Sequence, residues 1–351
     1  MPPYFLLFLL PTIHLSDIIS IANSVNWTSG TIILFPDSKK TIFQLSAIKN
    51  SDNCNFFHFN LKLLMSEIIK IVVLAFVQGI AEFLPISSSG HLEVISAALD
   101  AFAKLKLESG LDSLTVSVIL HLGTLMSLLV YYWKTLLDIV LKLRFKLAFL
   151  LILASIPAAA AGVLLHDFFE DNLSNLWIVG CMFILTAILL IASQKFSKRK
   201  TENDEQMETP QAIDSKGSTE TVVEELSAIS WVQALVIGIF QMFAILPGLS
   251  RSGSTIAGGL FSGLKQSAAA NFSFLMAIPV IGGAGLLEAL KLFKRHQAIP
   301  VTELSIGFCV SFIVGLFALC WVINWIKKGK LSWFAYWLFL MAAFSFYLAL
   351  Q

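Results

Sequence analysis

The chain has 351 residues, of which 57% are hydrophobic and 13% are charged, and its formal net charge is +1. Together with a mean hydropathy of +0.80, these values exclude an ordinary soluble domain and predict an all-α polytopic membrane protein. The basic residues are spread over short loops instead of forming a patch for nucleic acid, and the four cysteines lack the CxxC spacing of a zinc site.

The first 64 residues differ in character from the rest of the chain. A brief apolar run at residues 5–10, too short to span a bilayer, is followed by mixed polar sequence. No small-residue cleavage site follows a basic start, so a signal peptide fits poorly. We interpret residues 1–64 as a dispensable N-terminal extension and Met65 as the start of the membrane domain.

After Met65 the apolar segments form two series, each a broken segment followed by three long ones. The broken segments, residues 69–84 and 231–246, would each reach about 24 Å as a helix, short of the roughly 30 Å hydrocarbon core. Each stops at a proline, Pro85 or Pro247, with only a short apolar stretch beyond it. We expect two re-entrant hairpins and six full spans. The spans are predicted at residues 114–133, 147–165, 175–193, 268–290, 304–326 and 331–350.

The two series are related by an internal repeat. Superposing Ser87 on Ser250 gives an offset of 250 − 87 = 163, and the same offset pairs Gln78 with Gln241. A re-entrant hairpin plus three spans reverses the side of entry, so the second copy would be inverted, with a site where the two breaks meet. The predicted repeats are residues 65–194 and 229–351. The polar stretch 195–228 is interpreted as a flexible cytoplasmic linker, in line with the positions of the basic loops.

Glu82 is the acidic residue of the first break. A carboxylate in an apolar helix is costly unless it pairs, titrates or binds a cation, which favours a functional interpretation. The alternative is a structural polar bridge. Gln78 lies one helical turn earlier, on the same face, and either contributes to the site or holds helices together.

Hydroxyl groups and an imidazole follow the first proline in Ser87, Ser88, Ser89, Gly90 and His91. Free amides at the start of the next helix favour an anion there, and a histidine can deprotonate a neighbouring hydroxyl. Serine and glycine are also common packing residues in membrane helices, and a histidine at the interface can serve hydrogen bonding alone.

Arg251 is the corresponding charge of the second break. A guanidinium surrounded by hydroxyls at a helix start suits a phosphate, whereas an arginine snorkelling to the interface is the alternative. Its neighbours with hydroxyl groups are Ser250, Ser252 and Thr255. His121, within the first long segment, could line the cavity, but a histidine beside small residues more often serves helix packing, and we interpret it as a packing residue.

These motifs resemble those of the undecaprenyl-diphosphate phosphatase family, the integral membrane enzymes linked to bacitracin resistance. The resemblance covers most of residues 65–351, and one motif position carries Gln78 where the family also uses glutamate. The matching residues are Gln78 and Glu82; Pro85, Ser87, Ser88, Gly90 and His91; and Pro247 to Gly253.

The resemblance implies hydrolysis of a C55 isoprenyl diphosphate to the monophosphate and inorganic phosphate at the outer face of the bacterial cytoplasmic membrane, recycling the lipid carrier for cell-wall synthesis. It also implies a divalent cation, Mg²⁺ or Ca²⁺, with Glu82 as a ligand. We expect Arg251 to clamp the diphosphate and Ser88 or water to attack, with His91 or Glu82 managing the proton. The remaining expected substrate contacts are Gln78, Ser87, Ser89, Gly90, Gln241, Ser250, Ser252 and Thr255.

One alternative is an inverted-repeat transporter or flippase for an isoprenyl phosphate, in which Glu82 carries ions and Arg251 binds the anionic substrate. The additional presence of Ser88 and His91 favours an enzyme. The sequence leaves open whether the protein forms a homodimer.

Overall fold

The computed structural model describes residues 52–103, 113–173, 175–205, 219–295, 301–327 and 331–351. The chain divides into two units, residues 1–64 and 65–351. In the first unit the description covers only the helical residues 52–64, so the predicted extension lies largely outside the described residues. Everything below concerns the second unit.

Every regular element in the described residues is helical. A π-helical turn, Leu99–Ala103, follows the second helix. The α-helices in chain order are α1 (Asp52–Ala81), α2 (Ser88–Ala98), α3 (Ser113–Tyr131), α4 (Trp133–Leu141), α5 (Phe145–Leu173), α6 (Leu176–Glu205), α7 (Thr219–Ser227), α8 (Trp231–Phe243), α9 (Arg251–Phe261), α10 (Gln266–Arg295), α11 (Val301–Lys327) and α12 (Ser332–Ala349).

Five of these helices, α5, α6, α10, α11 and α12, are long and apolar enough to cross a bilayer. The consecutive helices α3 and α4 meet at Tyr132 with a bend of 65°, and counting them as one span gives six. The predicted class, a multi-pass helical membrane protein, is therefore confirmed. Six spans are reached only if the bent pair crosses as a unit.

Two breaks interrupt the helical path where the prolines predict them. Helix α1 ends at Ala81, and a series of turns leads to α2 at Ser88; α8 ends at Phe243, and α9 begins at Arg251. Glu82, expected inside the first helical arm, lies one residue beyond it. Pro85 explains this end, because it has no N–H to donate to the Ala81 carbonyl and its ring would clash there.

The region predicted as a flexible linker, residues 195–228, is helical at both ends. Helix α6 continues to Glu205, and α7 packs against α4, α5 and α10. Val223 and Leu226 are fully buried, since α7 has an apolar face that its polar average composition hides. Ser267 of α10 also donates to the Glu225 carboxylate at 3.3 Å. Only residues 206–218 of this region lie outside the described residues.

Three pairs of closely packed helices form the body of the unit. Helix α3 packs along α11, α6 along α12, and α5 along α8. The main apolar core includes the fully buried rings of Phe183 on α6 and of Phe272 and Phe274 on α10. Large side chains such as Phe317 remain exposed, as expected of surfaces that face lipid. The two breaks lie against this core.

Candidate active site

The side chain of Glu82 is the centre of a buried hydrogen-bond cluster. Its Oε1 accepts a hydrogen bond from Arg251 Nη2 at 2.6 Å. Its Oε2 accepts from Ser88 Oγ at 2.6 Å and from Gln78 Nε2 at 2.9 Å. The carboxylate is only 5% exposed, so these charge-assisted contacts take the place of water. The structure thus joins four of the predicted residues directly.

The two breaks are held against each other by backbone contacts near this carboxylate. Ser252 Oγ donates to the carbonyl oxygen of Leu84 at 2.9 Å. Gly90 lies so close to the second break that a Cβ there would be 2.9 Å from the Gly248 Cα. Gly248 itself has φ +89°, a left-handed conformation that favours glycine. Small residues at these positions therefore allow Glu82 and Arg251 to meet.

The first turns of two helices converge on the Glu82 carboxylate. Ser88 is the first residue of α2 and Arg251 is the first residue of α9, and both donate to it. Helix N-termini carry partial positive charge and free amide donors, which favour an anion. Arg251 is 16% exposed, and within the described residues its Nη1 makes a single long contact of 3.5 Å, to the Ser273 carbonyl oxygen. Donors therefore remain available for a phosphate group.

The surroundings of Ser88 suit the role of nucleophile that the sequence predicts for it. It is partly exposed, and its hydroxyl donates to a buried carboxylate at 2.6 Å. The adjacent Ser87 has a left-handed backbone conformation, φ 71°, uncommon for a residue with a Cβ. A strained residue beside a reactive group is typical of functional turns. Ser89 is exposed, and its Oγ lies 3.3 Å from that of Ser87.

The imidazole that faces the carboxylate belongs to His121, which sequence reasoning interpreted as a packing residue. Its Nε2 lies 3.6 Å from Glu82 Oε2, and its side chain is 29% exposed. Its Nδ1 lies 2.7 Å from the carbonyl oxygen of Ser117. The signal that could have found it is an ionisable group in the middle of an apolar segment. Helix α3 carries His121 into the cluster from outside the two motifs.

No hydrogen bond joins His91 to the Ser88 hydroxyl in the described structure, where either His91 or Glu82 was expected to manage the proton. His91 is buried, and its Nδ1 lies 2.8 Å from the carbonyl oxygen of Ser87. Its Nε2 accepts a hydrogen bond from the indole N–H of Trp337 at 2.8 Å. The Nδ1 therefore carries the proton, and both ring nitrogens are engaged. Through these contacts His91 links the Ser87 turn to Trp337.

Most of the other predicted substrate contacts are buried and bond within the protein. Ser250 Oγ accepts from the Gly253 amide at 3.0 Å, which caps α9. Thr255 Oγ1 donates to the Arg251 carbonyl at 2.8 Å and lies 2.5 Å from Ser273 Oγ. Gln241 is 2% exposed, and neither of its amide atoms has a hydrogen-bond partner in the described part of the chain. These residues shape the site from behind, while Ser88, Ser89 and Arg251 reach its open side.

The donor set around Glu82 does not fit a divalent ion held by the protein alone. Both carboxylate oxygens already accept strong hydrogen bonds, one from a guanidinium that neutralises the charge. Position 78 carries an amide, so the site has a single carboxylate, and the described residues contain no group of three or more His, Cys, Asp or Glu side chains placed to bind a metal. Mg²⁺ and Ca²⁺ require several oxygen ligands. We therefore derive no step through a metal.

The fold and the site define a class of protein: a multi-pass helical membrane protein with a buried carboxylate, a serine hydroxyl and an arginine combined at two helix starts. The chain belongs to the family described as bacitracin resistance protein BacA, which matches residues 71–344.

Three similar proteins share the name undecaprenyl-diphosphatase. The chain is 38% identical over 275 residues to an undecaprenyl-diphosphatase of Rhodopirellula baltica, covering 78% of this chain and 95% of that protein. Undecaprenyl-diphosphatases of Bacteroides thetaiotaomicron and Halothermothrix orenii are 36% and 34% identical, over 76% and 81% of this chain and 93% and 98% of theirs. Family membership predicted from the motifs is thus confirmed.

Proposed function

We propose that this protein hydrolyses undecaprenyl diphosphate to undecaprenyl phosphate and inorganic phosphate, which would recycle the lipid carrier for cell-wall synthesis and confer bacitracin resistance. The observation that carries the proposal is the contact of both Ser88 and Arg251 with the buried carboxylate of Glu82. A nucleophile, a base and a phosphate-binding cation within one cluster are the parts that phosphoryl transfer requires.

In this proposal Arg251 and the N-termini of α2 and α9 bind the diphosphate. The guanidinium has five donors in a planar fork, of which one is bonded to Glu82 at 2.6 Å. The amides at the two helix starts add partial positive charge that falls on the same point. Positive charge fixed in a low-dielectric site stabilises the charge that spreads over the phosphoryl oxygens in the transition state.

Ser88 is the proposed nucleophile. Its Oγ forms a bond to the terminal phosphorus while the bond from that phosphorus to the bridging oxygen breaks. The electron pair of the broken bond stays with the bridging oxygen, and undecaprenyl phosphate leaves. The hydroxyl proton passes to Glu82 Oε2, to which it already points at 2.6 Å. The result is a phosphoserine and a protonated Glu82.

A divalent cation, expected from the resemblance, is proposed here only as a companion of the substrate. Phosphate oxygens and water would supply its ligands, as is common for Mg²⁺ at polyphosphates. When bound there it would neutralise part of the diphosphate charge. The test is the rate of phosphate release with and without a chelator.

We further propose that the membrane unit is an inverted repeat of a re-entrant hairpin and three spans. The helix pairing supports this. The predicted symmetry relates α3 to α10 and α6 to α12, and the two helices of each pair are in contact. The same symmetry exchanges the pair α3 and α11 with the pair α10 and α5, which also pack together. With the basic loops in the cytoplasm, the site would open to the outer face of the bacterial cytoplasmic membrane.

The experiment is release of inorganic phosphate by the purified full chain in detergent from C55 and shorter isoprenyl diphosphates. We expect turnover that Ser88→Ala abolishes and that the control Ser155→Ala, whose hydroxyl donates to the Leu151 carbonyl within α5, retains within about tenfold. Absence of release from every lipid diphosphate would overturn the proposal. That outcome, combined with gradient-driven uptake of an isoprenyl phosphate in proteoliposomes, would favour the inverted-repeat transporter or flippase.

A further inference from the structure

The proposed reaction moves two protons at the site, one from Ser88 and one from the attacking water. Glu82 takes the hydroxyl proton of Ser88 in the first half-reaction and must return it when Ser88 Oγ leaves the phosphorus in the second half. The water that attacks the phosphoserine must also lose a proton, and a protonated carboxylate cannot accept it. While Glu82 keeps the Ser88 proton, a second acceptor beside it would take the proton of the attacking water.

His121 stands at that position. Its Nε2 lies 3.6 Å from Glu82 Oε2, the oxygen that also accepts the Ser88 hydroxyl at 2.6 Å. Its Nδ1 lies 2.7 Å from the Ser117 carbonyl oxygen, an acceptor only, so in the neutral imidazole Nδ1 carries the proton and Nε2 has the lone pair. This nitrogen thus lies beside the carboxylate oxygen that accepts the Ser88 hydroxyl.

The exposure of His121 suits a group that exchanges protons with water. Its side chain is 29% exposed, whereas the Glu82 carboxylate is 5% exposed. His91 cannot take this part, because its Nδ1 is bonded to Ser87 and its Nε2 to Trp337. Arg251 donates to Glu82, and a guanidinium has no lone pair to accept a proton.

We propose that His121 is the base that activates water for hydrolysis of the phosphoserine, an inference that rests on the proposed function. Water oxygen bonds to phosphorus and its proton moves to His121 Nε2; the bond from phosphorus to Ser88 Oγ breaks, and Oγ recovers its proton from Glu82. Inorganic phosphate leaves, and the imidazolium releases its proton to solvent. The cycle consumes one water and ends with every group in its starting state.

The test is rapid-quench kinetics of His121→Gln and His121→Ala with radiolabelled undecaprenyl diphosphate. We expect a burst of about one undecaprenyl phosphate per enzyme at a rate within about tenfold of the parent, followed by steady-state turnover reduced about 100-fold or more. Label from the terminal phosphate should accumulate on Ser88, located by mass spectrometry. Added imidazole should speed its release from His121→Ala, an effect that a merely structural role would not produce.

Ser155→Ala on α5 is the control, since its hydroxyl donates to the Leu151 carbonyl of its own helix. It should retain both phases. Equal loss of burst and turnover in both His121 variants, or normal turnover in both, would overturn the inference. Neither result would contradict the proposed lipid phosphatase activity of the parent protein. Phosphate release without any label on Ser88 in the parent and in both variants would also overturn it. Failure of the proposed function is a separate result, namely no phosphate release by the parent.

Discussion

Arg251 Nη2 donates to Glu82 Oε1 at 2.6 Å, a contact between residues 169 positions apart. Glu82 lies just after the end of α1, and Arg251 is the first residue of α9. Their contact therefore joins the two breaks inside an apolar protein. Removing one member of a buried ion pair leaves the other uncompensated, which costs more than removing both. The pair therefore supports both the fold and the binding of an anion.

Glu82→Gln should reduce activity and stability together, because it removes the base and leaves Arg251 without its partner. We expect a loss of about 3 kcal/mol in unfolding free energy and no measurable turnover. The double variant Glu82→Gln, Arg251→Gln should recover much of the stability and none of the activity. Thermal unfolding in detergent and phosphate release measure the two effects; a double variant less stable than either single one would contradict this account.

Arg251→Lys should lower kcat/KM far more than retention of the positive charge suggests. An ammonium ion cannot donate to Glu82 and to a phosphate with the planar geometry of the guanidinium. We expect a loss of about 100-fold or more, in line with the removal of a charge-stabilising donor. Arg144→Lys is the control, since Arg144 pairs with Asp138 near α4 and outside the site. Similar small effects of both changes would remove Arg251 from substrate binding.

Ionisable residues, which are energetically costly to bury in a bilayer, could be recognised from the sequence. Glu82 and Arg251 are conspicuous because ionisable groups beside prolines in apolar segments need a reason to be there. Their direct contact could not be predicted, because it depends on how two breaks pack across 169 positions. The helical class followed from composition for the same physical reason, since backbone groups in lipid must be satisfied internally.

The two histidines show where sequence reasoning stops. His91 lies in a motif with Ser88, and His121 lies alone in an apolar segment, so the motif favoured His91. The structure reverses their surroundings, because Trp337 of the last helix occupies His91 Nε2 and the rotation of α3 turns His121 towards Glu82. Helix α7 was missed for a related reason: its few apolar residues share one face, which an average over a charged stretch conceals.

Trp337→Phe should test whether His91 acts by holding the Ser87 turn. The change keeps an aromatic ring stacked on His91, whose centroid is 6.1 Å away, and removes the indole donor. We expect a loss of about 1 kcal/mol of stability and a lower kcat with little change in KM. Trp333→Phe, on the same helix and 62% exposed, is the control and should behave like the parent. Full kcat in Trp337→Phe would assign the histidine no positioning role.

Gly90→Ala should separate the two breaks. A Cβ at Gly90 would lie 2.7 Å from the Phe183 ring and 2.9 Å from the Gly248 Cα, closer than atoms can approach. The ring can rotate away but the backbone of Gly248 cannot move without displacing Arg251, so activity should fall more than stability, which overpacking lowers by about 1–3 kcal/mol. Combining the change with Phe183→Leu should recover part of the stability and little activity.

Gly162→Ala is the control. A Cβ there meets nothing within 4 Å, so the change should stabilise α5 slightly and leave turnover unchanged. Normal activity in Gly90→Ala would mean that the close approach of the breaks is not needed for the reaction.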